Sequence, residues 1–265
     1  MFVDCDPTAD MTPDEYAALV LSAVNERRYC DHPFFDRLER GEVTLEDLQR
    51  SCYQMMWYYN NSVRNIGLAL AAHMDNEARH AILENMIDEE TEFRCGEAAH
   101  YVLALKFARA IGFDTAEIEE ANKQGTLRPD PQLSHALESA LQIGFHEDGA
   151  LVIASGMVGV EALLPDMYTR LVEGLRKSFS FTDDELDIFI THIEGDTQHG
   201  EEGRELVRSY ATTPQQRAHF MQLALFARDR FYECWDAIWR AGERKLPQSV
   251  HPREQLAGAG AAATP

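Results

Sequence analysis

Positive charge is scarce in this chain: 24 Lys and Arg stand against 45 Asp and Glu, a formal charge of −21. So acidic a balance argues against nucleic acid and anionic membrane as partners, because both need a basic patch. Long apolar runs are missing too. No uninterrupted stretch reaches the length of a membrane span, so none is expected. The opening residues, MFVDCDPTADMTP, contain no apolar segment of the secretory kind, and a cytoplasmic location is expected. Cysteine is sparse: Cys5, Cys30, Cys52, Cys95 and Cys234 are odd in number and never spaced C-x2-C. They predict free thiols and exclude both a disulfide framework and a zinc site. Strand and hairpin signals are lacking, and no repeat of solenoid length occurs.

What is there is helical periodicity almost throughout. Thr12-Pro13-Asp14-Glu15 has the cap, the early proline and the acidic first turn of a helix running to about Arg28. A short helix after His32-Pro33 ends near Gly41, and Thr44-Leu45-Glu46-Asp47 opens a long one to about His73. Further helices are expected from about Glu77, from Glu97 to Ile111, within the connector 113–131, and from Leu133 to Ile143. The apolar run from Asp148 continues past Pro165, which is expected to kink it. Thr182-Asp183-Asp184-Glu185 caps a helix to about Tyr210, and Thr213-Pro214 caps another to Arg240. The expected architecture is all-α, a single-domain bundle of about seven or eight helices over residues 12–243. A loose N-terminus, 1–11, precedes it, and a disordered tail, 244–265, follows.

One stretch organises the chemistry. His192, Asp196 and His199 stand at i, i+4 and i+7, on one face of a helix. Two imidazoles and a carboxylate aimed into a core need a partner, and a metal ion satisfies all three at once. Glu161 lies in an apolar run, Gly156 to Leu164, where no other charged residue occurs. His100 sits on a mostly apolar helix. In the acidic cluster Asp88 to Glu92, Glu90 aligns best with Leu83, Met86 and Phe93, and Glu89 aligns almost as well. Glu90 or Glu89, His100, Glu161, His192, Asp196 and His199 make three carboxylates and three imidazoles, enough for two first-row ions with open positions. Ligands of N and O alone favour iron or manganese over structural zinc. Gly195 and Gly200, next to the ligands, are expected to loosen the helix there.

With these residues the sequence resembles the haem-oxygenase-like dimetal oxidases, within the fold shared with thiaminase-II-like and pyrroloquinoline-quinone-synthase-like proteins. The entry His32-Pro33-Phe34-Phe35, Gly41 and Thr44 to Leu48 looks like the common opening of that fold. The ligand pattern is the specific part. The resemblance implies a haem-oxygenase-like bundle, two Fe(II) with Mn as the alternative metal, and O2 as cosubstrate. It implies a small-molecule substrate, with a free amino acid leading, in specialised metabolism, an external electron donor as a further partner, and a homodimer by fold analogy. N-oxygenating relatives often carry an extra carboxylate on the first long core helix. Residues 53–72 contain no Asp or Glu and offer Asn60, Asn61, Arg64 and Asn65 instead. C–H chemistry (desaturation, oxidative C–C cleavage or ring closure) is therefore expected ahead of N-oxygenation.

A substrate carboxylate needs a buried cation. Arg64 and Arg204 are the candidates, each weighed against a structural salt bridge. Other readings stand beside the oxidase. A thiaminase-like role would use a nucleophilic cysteine, but Cys52, Cys95 and Cys234 lack a base at useful spacing. A quinone-synthase-like oxidation would need no metal. A non-catalytic binding module would use the polar residues as a hydrogen-bonded network. Ferritin-like storage would need two E-x2-H motifs, and the chain offers only Glu97/His100 and the Asp196/His199 variant.

Overall fold

The computed structural model describes residues 8, 10–71, 76–90, 99–146 and 149–253. Its α-helices are α1 (Pro13–Val24), α2 (Pro33–Glu39), α3 (Leu45–Ala71), α4 (Asn76–Glu90), α5 (His100–Ala110) and α6 (Thr115–Lys123). They continue with α7 (Pro131–His146), α8 (Gly149–Gly159), α9 (Leu164–Phe179), α10 (Asp187–Tyr210), α11 (Pro214–Trp239) and α12 (Ala241–Arg244). Short 3-10 turns occupy Tyr29–Asp31, Glu161–Leu163 and Asp184–Leu186, and no strand occurs among the described residues. The all-α reading holds. Among the described residues the helix count exceeds the seven or eight expected: the short helices α2 and α6, foreseen in the sequence, count as separate elements, α12 is added, and the run after residue 148 is split. The expected start at Glu97, the break at Arg94-Cys95-Gly96 and residues 254–265 lie outside the described residues, whereas 244–253, expected to belong to a disordered tail, pack on the bundle: Val250 is buried and the Arg253 N–H donates to the Gly112 carbonyl at 2.9 Å.

Local chemistry sets the element ends. Thr12 accepts from the Glu15 N–H while the Glu15 carboxylate accepts from the Thr12 N–H, a reciprocal cap that starts α1. Thr213 and Gln216 repeat the device for α11. Thr182 and Glu185 do so ahead of α10, with the Thr182 N–H donating to the Glu185 carboxylate at 2.8 Å. Gly41, at φ +69°, makes the left-handed turn that releases the chain after α2.

α10 packs on α8 and α9, α11 on α7 and α8, and α3 on α7, α5 and α4. The core between them is dense in large rings, including Trp235, Trp239, Tyr168, Phe189 and Phe35. Trp235 and Trp239 stack at 5.8 Å, and Phe34 stacks on Trp239 at 4.7 Å.

The split between α8 and α9 corrects the expectation of a kink at Pro165. The helix ends earlier, at Gly159, and Pro165 sits in the first turn of α9, where its missing N–H costs nothing. Val160 leaves helical geometry (φ −123°, ψ −67°), and the next residues form the 3-10 turn. The buried Tyr29 hydroxyl donates to the Gly159 carbonyl at 3.0 Å at this break. Leu151–Phe179 is long and apolar enough to pass for a membrane span by length and composition alone. In this fold the interrupted α8–α9 segment is a core element packed against α10 and α11.

A buried polar cluster ties α2 to α11. The His32 Nδ1 accepts from the Phe34 N–H at 3.1 Å, so Nε2–H donates to Asp236 Oδ1, also at 3.1 Å. Asp236 also accepts from Gln132 at 3.0 Å and pairs with Arg240 at 2.7 Å. Burial pushes the His32 pKa down, with Asp236 only partly opposing it. Burial would raise Asp236, but Gln132 and His32 outweigh it and hold its pKa below the usual value. Both shifts have the same consequence. A depressed His32 favours the folded state above its unfolded pKa of about 6.5 and loses that contribution as pH falls. A depressed Asp236 does likewise below about pH 4. Between pH 7 and pH 5 the wild-type urea midpoint is therefore expected to fall relative to that of His32→Gln. Parallel slopes for the two proteins would refute the assignment.

Candidate metal centre

The six sequence candidates converge as two triads. In one, Glu89 near the end of α4, His100 at the start of α5 and His192 on α10 bring ligand atoms within 4.8 Å of one another. In the other, Glu161 on its 3-10 turn meets Asp196 and His199 of α10 within the same limit. Asp196 follows His192 by one helical turn, about 6 Å along the axis, so the triads adjoin.

In the first triad His100 Nδ1 lies 2.7 Å from Glu89 Oε2. The His192 Nδ1–H donates to the Ile188 carbonyl at 2.6 Å, which fixes the ring and leaves Nε2 for the site. The His100 and His192 rings lie 4.4 Å apart. Burial alone would raise the Glu89 carboxyl, but His100, with help from His192 and His199, pulls its pKa down to about 2. Burial, then the neighbouring His100, pushes His192 down to about 4, so the ring is neutral and able to ligate at pH 7.

The second triad is built from Glu161 and the next turn of α10. His199 Nδ1 lies 3.0 Å from Glu161 Oε2 and 3.6 Å from Asp196 Oδ1. Burial, reinforced by Glu161, raises Asp196 to about 7 against the opposing pull of His199. Burial would depress His199, but Asp196 and Glu161 outweigh it and raise it to about 11. Glu161 Oε2, Asp196 Oδ2 and His199 Nδ1 are buried, yet none has a hydrogen-bond partner in acceptable geometry. Three orphaned donor atoms aimed at one another are costly in an apolar bundle, and a cation among them removes that cost. The residues therefore fit a metal. Glu89, His100 and His192 would hold one ion, and Glu161, Asp196 and His199 the other. Each position would have three N/O ligands from the chain, a donor set that first-row redox metals accept.

Two tyrosines close the site from behind. The Tyr168 ring lies 5.1 Å from that of His192, and the Tyr59 ring 6.0 Å. Their hydroxyls bond to each other at 2.9 Å. Tyr59 sits on α3, the helix without acidic residues along 53–72, so α3 gives this centre an aromatic wall. Tyr168 was not legible as a site residue. Its only signal was its place seven residues after Glu161.

Between the two acidic alternatives, the structure chooses Glu89. Glu90 is exposed, because one residue on a helix turns the side chain by about 100°. Both candidate cations are also corrected. Arg64 is exposed, with its guanidinium 3.4 Å from Asn61 on its own helix. Arg204 pairs with Glu201 at 2.7 Å on the solvent side of α10. Neither guanidinium shows an ion pair with either triad. Long charged side chains on amphipathic helices turn their heads to water, and both arginines do so. Cys52 and Cys234 are fully buried thiols whose pKa burial drives far up, a poor setting for a nucleophile. Cys95 lies outside the described residues.

An all-helical bundle of haem-oxygenase-like fold enclosing N/O ligands for metal is the class that fold and site define. The chain belongs to the iron-containing redox enzyme family, whose profile matches residues 51–231. It is similar to the 4-aminobenzoate synthase of Nitrosomonas europaea, 25% identical over 241 residues that cover 86% of this chain and 92% of that protein. It is also similar to the pyrroloquinoline-quinone synthase of Bradyrhizobium sp., 23% identical over 220 residues, 81% of this chain and 80% of that one. Among solved structures it superposes on a CADD-like protein of unknown function from Nostoc punctiforme, with a TM-score of 0.64 and 15% identity over 89% of this chain and 99% of the other. A heme oxygenase-like domain of unknown function from Shewanella denitrificans gives a TM-score of 0.63 at 15% identity, over 94% of each chain. These structures show the fold.

The geometry separates the acidic neighbours experimentally. Glu89→Ala is expected to weaken one of the two metal positions by at least about tenfold in affinity, and Glu90→Ala to leave both unchanged. Anaerobic Fe(II) titration by calorimetry checks this. A loss in Glu90→Ala equal to that in Glu89→Ala would contradict the assignment.

Proposed function

We propose that the protein is a non-haem dimetal oxidase that uses two Fe(II) ions and O2 to oxidise a small amino acid or related carboxylic acid by C–H abstraction. The observation that carries the reading is the pair of adjoining His/carboxylate triads, one with three buried ligand atoms that lack a hydrogen bond of acceptable geometry. When bound, two ferrous ions would supply two electrons to O2 and the oxidising power for the C–H step; the substrate supplies the other two electrons, and an external electron donor returns the ions to the ferrous state. The chain does the rest. Ile188 orients His192 through its carbonyl, and the Tyr59–Tyr168 pair packs behind that ring. Neutral His192 and ionised Glu89 present ligands at pH 7 without first losing a proton, whereas His199 must give one up.

The relatives support the substrate class. 4-Aminobenzoate carries both an amino group and a carboxylate, and a synthase of that compound is similar over most of this chain. N-oxygenation ranks second, because α3 brings no extra carboxylate. The similarity to a pyrroloquinoline-quinone synthase keeps a metal-free oxidation as the competing reading. The three buried ligand atoms of the second triad weigh against it, since without a metal they lack hydrogen bonds of acceptable geometry.

The test is anaerobic Fe(II) loading followed by rapid mixing with O2 and a panel of amino acids and aromatic carboxylic acids. Two irons per chain and O2 consumption accelerated at least about tenfold by one compound are the expected results. Oxidation of a compound by the metal-free protein, at the same rate as by the loaded one, would move the assignment to the quinone-synthase-like reading.

A further inference from the structure

The ligand face of α10 does not stop at His199. It continues through Gly200, Gly203 and Val207, all buried. On sequence, Gly195 and Gly200 were expected to loosen the helix near the ligands, but the surroundings of Gly200 and of Gly203 show a different role. A Cβ on Gly203 would lie 2.7 Å from Met157 Cβ, 3.0 Å from Val158 Cγ2 and 3.4 Å from the Met157 carbonyl carbon. On Gly200 it would lie 3.3 Å from Ala162 Cβ. On Gly195, between the ligands, it would meet nothing within 4 Å. The crowded glycines therefore face the segment that carries Glu161: Met157 and Val158 just before it, Ala162 just after.

That segment cannot retreat. On its other side a Cβ at Gly159 would lie 2.5 Å from the Ala224 carbonyl oxygen of α11, and Tyr29 holds the Gly159 carbonyl. Glu161 thus sits on a turn clamped between α10 and α11. Side-chain carbons pack at about 3.5–4.0 Å, so a methyl group at 203 demands roughly 1 Å of extra separation there. Metal–ligand distances tolerate only about 0.2 Å. The first triad draws its other ligands from α4 and α5 and does not use this contact.

We infer that Gly203, seconded by Gly200, is a positioning residue: the close backbone approach it permits sets the reach of Glu161 to Asp196 and His199, and so selectively builds the second of the two metal positions. The inference rests on the two-metal reading above and adds a division of labour within it.

The test is anaerobic Fe(II) titration by calorimetry of the full chain and its Gly203→Ala, Gly195→Ala and Glu161→Ala variants, with folding followed by circular dichroism. Wild type and Gly195→Ala are expected to bind two ions alike. Gly203→Ala is expected to keep one ion at wild-type affinity and to bind the other at least tenfold more weakly, as Glu161→Ala does. Combining Gly203→Ala with Glu161→Ala should add no further loss. Should Gly203→Ala not fold, the milder Gly200→Ala decides: selective weakening of one ion supports the inference and unchanged binding of both overturns it. Two ions bound normally by Gly203→Ala, or an equal loss of both, also overturns it while leaving the two-metal reading intact. A wild-type chain that binds fewer than two ions removes that reading and this inference with it.

Discussion

The structure depends on the cost of placing ionisable side chains inside an apolar helical bundle. Along one face of α10, His192, Asp196 and His199 enter a core otherwise built from rings and aliphatic chains. Left alone, each would lose its hydration for nothing. The chain answers by bringing a carboxylate to each end of that face, Glu89 from α4 and Glu161 from the α8–α9 turn. The first end is partly settled by direct hydrogen bonding. At the second, three buried ligand atoms lack a hydrogen bond of acceptable geometry although His199 and Glu161 lie 3.0 Å apart, and that end makes the centre a candidate for metal rather than a structural network.

Much of the architecture serves that placement. α10 is a continuous helix, so its ligands keep their spacing, while the segment opposite it is interrupted. The interruption is useful. A continuous helix through residues 149–179 would have to fit Glu161 to helical periodicity, whereas the 3-10 turn sets it independently. The same turn lets α8 and α9 each pack against α10. Aromatic residues from α3 and α9 then complete the wall behind His192 without adding charge.

Sequence reasoning read some of this well and some of it poorly, for physical reasons. The i, i+4, i+7 pattern of His192, Asp196 and His199 survives any change in surroundings because it depends only on helical pitch. Glu161 was legible because a single carboxylate in a long apolar run must find a partner somewhere. Its local conformation was not, since Val160 carries no turn signal and Pro165 drew attention four residues too late. Glu89 and Glu90 could not be separated because both border the same apolar stripe and the rotation of α4 is fixed by tertiary packing. Arg64 was named from its apolar helix face and Arg204 from its place five residues after His199, each weighed against a salt bridge, and a flexible stem lets such a head reach water. Gly203 was invisible as a site residue, because the value of a missing Cβ depends wholly on what lies opposite.

The central claim is that α10 serves two metal positions at once. Anomalous diffraction at the iron edge from crystals loaded anaerobically with Fe(II) addresses it most directly. Two peaks are predicted, one among Glu89, His100 and His192 and one among Glu161, Asp196 and His199. A single peak shared by all six residues, or iron bound elsewhere on this acidic surface, would contradict the account.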